Sequence, residues 1–83
     1  MTINSPVALY GKPGCVQCDM TEKYFKRESI QYVKHDITEN EMAYEFVVGL
    51  GYQQVPVVVA PFQYEGVGHW SGFRPDKLAQ LKG

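Results

Sequence analysis

Val7-Ala8-Leu9-Tyr10-Gly11-Lys12-Pro13-Gly14-Cys15-Val16-Gln17-Cys18 is the stretch that decides how this chain folds. An apolar run stops at Gly-Lys-Pro-Gly, and two cysteines follow with two residues between them. From Asp19 to Glu28 there is no glycine or proline, and Met20, Glu22, Lys23, Lys26 and Arg27 favour a helix. A strand, a tight turn and a helix from about Cys15 to about Glu28 are therefore expected. Residues three apart share a helix face, so Cys15 and Cys18 can close a small disulfide ring. Unpaired N–H groups and the positive end of the dipole at that terminus lower a thiol pKa. Lys12 adds a positive charge from the turn, beside Pro13. The stretch reads as a dithiol redox site.

The rest of the composition narrows the class. Eighty-three residues make one small domain, 1–83, with room for a single modest core. The net charge of −1 is spread over scattered charges of both signs, which argues against a nucleic-acid or polybasic membrane surface. The start, Met1-Thr2-Ile3-Asn4-Ser5-Pro6, has neither the basic nor the long apolar region of a signal peptide. No apolar run approaches the ~20 residues of a spanning helix. The expectation is a soluble, cytoplasmic monomer. Two cysteines are too few and too close for a secreted disulfide scaffold, which leaves catalysis or metal binding.

Along the chain, Val7 to Tyr10 suits a short buried strand. On the first helix Cys18, Thr21, Tyr24 and Phe25 share one face, and Glu22, Lys23, Lys26 and Arg27 mostly face water. Ile30 to Ile37 is expected as the second strand. Thr38-Glu39-Asn40-Glu41 has capping-box spacing, so a second helix should run to about Leu50 with Ala43, Phe46, Val47 and Leu50 inward. Gly51 supplies a left-handed stop. Gln54 to Ala60 reads as a third strand entered through Pro56, whose Val55-Pro56 bond could be trans or cis. After a turn at Pro61 to Gly66, Val67 to Trp70 makes a fourth strand, antiparallel to the third. Pro75 then opens a last helix with Asp76 in its first turn and Leu78 and Leu81 inward. The order β-α-β-α-β-β-α is a thioredoxin-like α/β fold, a four-stranded mixed sheet flanked by three helices.

Chemistry concentrates on the two sulfurs. Cys15, first on the helix, is the expected nucleophile toward a substrate disulfide; Cys18, further in, is the expected resolving thiol. Asp36 is a weak candidate to assist Cys18. A metal site would need further ligands, and His35 and His69 do not have the spacing of a compact two-cysteine, two-histidine zinc site. A cluster shared between two chains stays open. A cis proline at Pro56 would set the Val55 backbone beside Cys15, where an extended substrate could pair as an added strand. Arg74 stands where a helix dipole disfavours a cation, so it should pair with Asp76, with another carboxylate, or with a partner.

Cys15-Val16-Gln17-Cys18 followed by Thr21, Val55-Pro56 and Trp70-Ser71-Gly72-Phe73-Arg74-Pro75-Asp76 together resemble the NrdH-redoxin family, from about Val7 to Leu81. That family is glutaredoxin-like in size and thioredoxin-like in behaviour. The resemblance implies electron donation to a cysteine pair on the C-terminal tail of the large subunit of a class Ib ribonucleotide reductase. It also implies re-reduction by thioredoxin reductase from NADPH, with no cofactor bound beyond the Cys15–Cys18 disulfide. By match, Trp70, Ser71, Phe73, Arg74 and Asp76 would tie the last helix to the loop before the proline. The turn at Pro61 to Gly66 is longer than the family pattern. A glutathione-dependent glutaredoxin is the alternative. Against it, Glu39, Glu41 and Glu45 would repel an anionic tripeptide. Where glutaredoxins resemble one another in a Thr-Val-Pro turn and a later acidic pair, this chain has Gln54-Val55-Pro56 and Ser71-Gly72-Phe73. A metal-holding module is the less favoured alternative.

Overall fold

The computed structural model describes residues 5–64 and 66–81. Met1 to Asn4, read above for targeting, and Glu65, part of the expected turn, lie outside the described residues. Strands β1 (Val7–Gly11), β2 (Tyr32–Asp36), β3 (Val57–Val59) and β4 (His69–Ser71) and helices α1 (Val16–Arg27), α2 (Glu41–Gly49) and α3 (Pro75–Leu78) follow in the order β1-α1-β2-α2-β3-β4-α3. A 3₁₀ turn over Ala79–Leu81 closes the described chain. The sheet order is β2-β1-β3-β4, with β1 parallel to β2 and both remaining pairs antiparallel. This is the mixed sheet of the thioredoxin-like fold.

Pairing register sorts the strand residues onto two faces. Leu9 lies opposite Val58, and Val58 opposite Trp70. With Val7 they form one row, packed in a single cluster with Phe25 of α1, Ile30, Leu78 and Leu81. The inward placement of Leu78 and Leu81 follows the expected helical spacing. On the other face Tyr10 stacks on His35 of β2 at 4.8 Å and on Phe46 of α2 at 5.3 Å, ring centre to ring centre. Only Ala43 and Val47 of α2 are buried.

Local bonding moved several boundaries. The second strand covers Tyr32–Asp36, shorter than Ile30 to Ile37, although Ile37 N–H still donates to the Gly11 carbonyl at 3.0 Å. The expected capping box at Thr38 does not supply the N-cap. The Asp36 carboxylate accepts from both the Thr38 N–H (2.8 Å) and the Thr38 hydroxyl (2.6 Å), and Asn40 caps α2 by accepting the Ala43 N–H at 3.1 Å. A local carboxylate turn competed for the threonine and won. Thr38 also helps hold Asp36 below the usual carboxylate range, chiefly through the hydroxyl bond. The expected inward stripe of α2 is half right, because Phe46 is 43% exposed. Gly51 takes φ +93°, the left-handed stop the sequence suggested.

The third strand is only Val57–Val59, and the fourth is His69–Ser71. Gln54 to Pro56 do not extend the ladder. The Gln54 and Pro56 carbonyls instead accept bonds from Ser71 at the end of β4 and from Gly72 just after it, as described below.

Candidate active site

Cys15 is the N-cap of α1, one position before the helix proper, with extended backbone (φ −99°, ψ 108°). Its sulfur accepts the Cys18 N–H at 3.1 Å, taking the place that a serine or aspartate oxygen holds at an ordinary N-cap. Cys18 lies one turn in and is 3% exposed, whereas Cys15 is half-buried. The two are joined as a disulfide with Cα atoms 5.2 Å apart. The end of β1 closes over the inner sulfur. A Cβ on Gly11 would lie 3.2 Å from Cys18 Sγ.

The loop before β3 faces the outer sulfur. Val55-Pro56 is a cis peptide bond, and the Val55 carbonyl oxygen lies 3.8 Å from Cys15 Sγ. Pro56 is buried. Lys12 and Val55 begin a groove of about 590 Å³ that continues along Ile37, Tyr44, Val48 and Gln54. Lys12, Pro13 and Gly14 form an exposed turn between β1 and α1, with Gly14 at φ +74°. The sequence does not mark the groove residues Tyr44, Val48, Tyr52 and Gln53. Tyr44 and Val48 are apolar residues exposed on a helix, and no spacing marks them as site residues.

The segment Trp70 to Asp76 meets this site from the far side. Ser71 Oγ donates to the Gln54 carbonyl at 3.1 Å, and Gly72 N–H donates to the Pro56 carbonyl at 2.8 Å. Phe73 N–H donates to Gln17 Oε1 at 3.1 Å, so a residue between the two cysteines belongs to the same network. Arg74 is the N-cap of α3 and forms a two-pronged pair with Asp76, Nε to Oδ1 at 3.1 Å and Nη2 to Oδ2 at 2.9 Å. The pair answers the question raised by a cation at a helix start. Arg74 in turn holds the Asp76 carboxyl below its usual range, first through the hydrogen bond. Trp70 is buried in the core, and its indole N–H has no partner among the described residues.

Three remaining candidates are engaged elsewhere. Asp36 is committed to Thr38 as an anion. His69 meets Tyr52 Oη at 2.7 Å through Nδ1, and His35 stacks on Tyr10. Among the described residues no group of three or more histidine, cysteine or acidic side chains could hold a metal ion.

A cysteine pair at the start of α1, one sulfur accessible and one sealed, can shuttle two electrons between a dithiol and a disulfide. On this fold that arrangement defines a thiol–disulfide oxidoreductase. The sequence profile named Glutaredoxin matches residues 7–63. The glutaredoxin-like protein NrdH of Lactococcus lactis subsp. cremoris is 33% identical over 76 residues, 90% of this chain and 97% of the relative. Its namesake in Escherichia coli is 31% identical over 75 residues, covering 90% and 86%. The solved NrdH-redoxin from Escherichia coli, a glutaredoxin-like protein with a thioredoxin-like activity profile, superposes with a TM-score of 0.85. It is 28% identical over 95% of this chain and 97% of that one. The chain belongs to the glutaredoxin family, among its NrdH-type members.

Proposed function

We propose that this protein is the dithiol electron donor of a class Ib ribonucleotide reductase. Its acceptor is a disulfide on the C-terminal cysteine tail of the large subunit, and NADPH restores its dithiol through thioredoxin reductase. The carrying observation is the placement of Cys15 Sγ, which accepts the Cys18 N–H at 3.1 Å and lies 3.8 Å from the Val55 carbonyl. A helix-start N–H favours the sulfur as thiolate, and the carbonyl edge beside it suits an extended peptide. Lys12 lends positive charge to the groove, and Pro13 shapes the turn that presents Cys15.

The reaction balances on these sulfurs alone. Cys15 thiolate attacks one sulfur of the acceptor disulfide, that S–S bond breaks, and the released thiolate takes a proton. Cys18 gives up its proton and attacks Cys15 Sγ, which breaks the mixed disulfide and frees the second acceptor thiol. The acceptor gains two electrons and two protons, and Cys15–Cys18 is left oxidised. Thioredoxin reductase then returns two electrons from NADPH.

Glutathione is the weaker reductant in this account. The start of α2 is acidic and exposed at Glu41 and Glu45, with Glu39 just before it, and such charge repels an anionic tripeptide. The likeness to a protein with a thioredoxin-like activity profile supports the same direction. The test is a reconstitution with a tail peptide as acceptor, driven either by NADPH with thioredoxin reductase or by NADPH with glutathione and its reductase. Brisk turnover in the first and little in the second is expected. The reverse ranking overturns the reading in favour of a glutathione-dependent glutaredoxin.

A further inference from the structure

We propose that Gln17 is a positioning residue that sets the distance between the attacking sulfur and the backbone edge that receives the substrate. Its place in the molecule is a closed circuit. Gln17 Oε1 accepts the Phe73 N–H at 3.1 Å; the neighbouring Gly72 N–H reaches the Pro56 carbonyl at 2.8 Å; Ser71 Oγ reaches the Gln54 carbonyl at 3.1 Å. Between those two carbonyls lies Val55, whose own oxygen stands 3.8 Å from Cys15 Sγ. The circuit returns to the cysteines through Gln17 itself.

Two further observations describe how Gln17 sits against this segment and within α1. Gly72 has φ +89°, a conformation that glycine adopts without a Cβ clash, and a Cβ there would lie 3.4 Å from Gln17 Oε1. The backbone of Gln17 is held as well, because Thr21, a fully buried hydroxyl residue, donates to the Gln17 carbonyl at 2.8 Å. Gln17 is thus anchored at its carbonyl by the helix and aims its carboxamide at the last segment. Among the described residues no other side chain of α1 hydrogen-bonds to residues 70–76.

The consequence is selective. A substrate that pairs with the Val55 edge senses the distance that Gln17 sets, while a small disulfide that only meets Cys15 does not. This inference rests on the proposed reading of the site as a peptide-disulfide reductase. Its test needs no reductase, so the two can fail separately. Pre-reduced protein is mixed in single turnover with an excess of a disulfide-bonded tail peptide, and separately with a small symmetrical aromatic disulfide. The ratio of the two rates cancels any change in Cys15 ionisation.

Gln17→Met keeps the length and removes the acceptor, and Gln17→Glu restores one. Gln17→Met should raise the half-saturating peptide concentration about threefold, the worth of one water-accessible neutral hydrogen bond. Its maximal rate and its small-disulfide rate, relative to each other, should stay as in the wild type. Gln17→Glu should return the peptide-to-small-disulfide ratio to the wild-type value. The amide proton of Phe73, followed by NMR hydrogen exchange, should exchange faster in Gln17→Met and at the original rate in Gln17→Glu. The assignment is overturned if Phe73 exchange is unchanged in Gln17→Met, if both rates fall in the same proportion, or if Gln17→Glu behaves like Gln17→Met.

Discussion

The two faces of the sheet are finished differently. Toward α1 and α3, Phe25, Leu9, Val58 and Leu78 are at most 1% exposed, and the row is sealed from strand to strand. Toward α2, the helix buries Ala43 and Val47 and leaves Met42, Tyr44, Phe46 and Val48 between 43% and 80% exposed. Apolar area removed from water stabilises a fold at about 25 cal/mol per Å², so the sealed face, with the larger buried cluster, contributes more of the stability. The open face carries the groove that begins at Lys12 and Val55. One side of the sheet is closed and the other is left open, and the sulfurs stand at the seam between them.

The seam is where substitution should do most. Cys15→Ser should abolish turnover of a disulfide acceptor. Cys18→Ser should instead accumulate a mixed disulfide between Cys15 and the acceptor, seen by intact-mass measurement. If the two variants exchanged behaviours, the accessible sulfur would not be the nucleophile. Next come the faces themselves. Phe25→Ala should cost ~3–5 kcal/mol in chemical denaturation, the range for a large side chain removed from a sealed core. Tyr44→Ala, on the open face, should change stability by less than about 0.5 kcal/mol. It should weaken peptide capture several-fold in the same reductase assay. Equal stability losses for the two would break the contrast between the faces.

A smaller effect tests how α2 begins. Asn40→Ala should lower stability by ~1 kcal/mol, the usual worth of an N-cap side chain. The loss should show in thermal unfolding with the reductase kinetics unchanged. The smallest prediction concerns pH. Glu22 on α1 accepts from Tyr32 Oη at 2.6 Å and from Lys34 Nζ at 3.3 Å, bonds that join α1 to β2. The Tyr32 bond is the first cause of its lowered pKa, and burial followed by that bond pushes Tyr32 up to about 12. A carboxyl depressed on folding stabilises above its unfolded pKa and loses that contribution as pH falls through its folded pKa. The melting temperature of the wild type should therefore exceed that of Glu22→Gln near neutral pH, and the gap should close from about pH 5 downward. A gap that stays constant across that range would show that the carboxylate charge plays no part.

How far the residues alone could be read follows the same division. On the sealed face, periodicity is a sound guide, since burial on one side is what creates it. Phe25, Leu78 and Leu81 all fall where their spacing puts them. On the open face the apolar pattern of α2 misleads, because Phe46 is kept partly in water, stacked on Tyr10. The cap of α2 departs from the capping-box spacing for a local reason, as Asp36 captures Thr38 and leaves the role to Asn40. At the site, the cysteines and the Arg74–Asp76 pair are legible from near neighbours in sequence. The bond from Gln17 to Phe73 spans 56 positions, and a glutamine between two cysteines carries no signal of where its carboxamide will point.

The central claim is that the N-terminus of α1 holds Cys15 as a ready thiolate. The direct measurement is the rate of Cys15 alkylation against pH in the reduced Cys18→Ser protein, where the N–H of residue 18 is kept and no second thiol competes. The account predicts a midpoint well below the ~8.5 of a free cysteine. A midpoint at or above that value would contradict it.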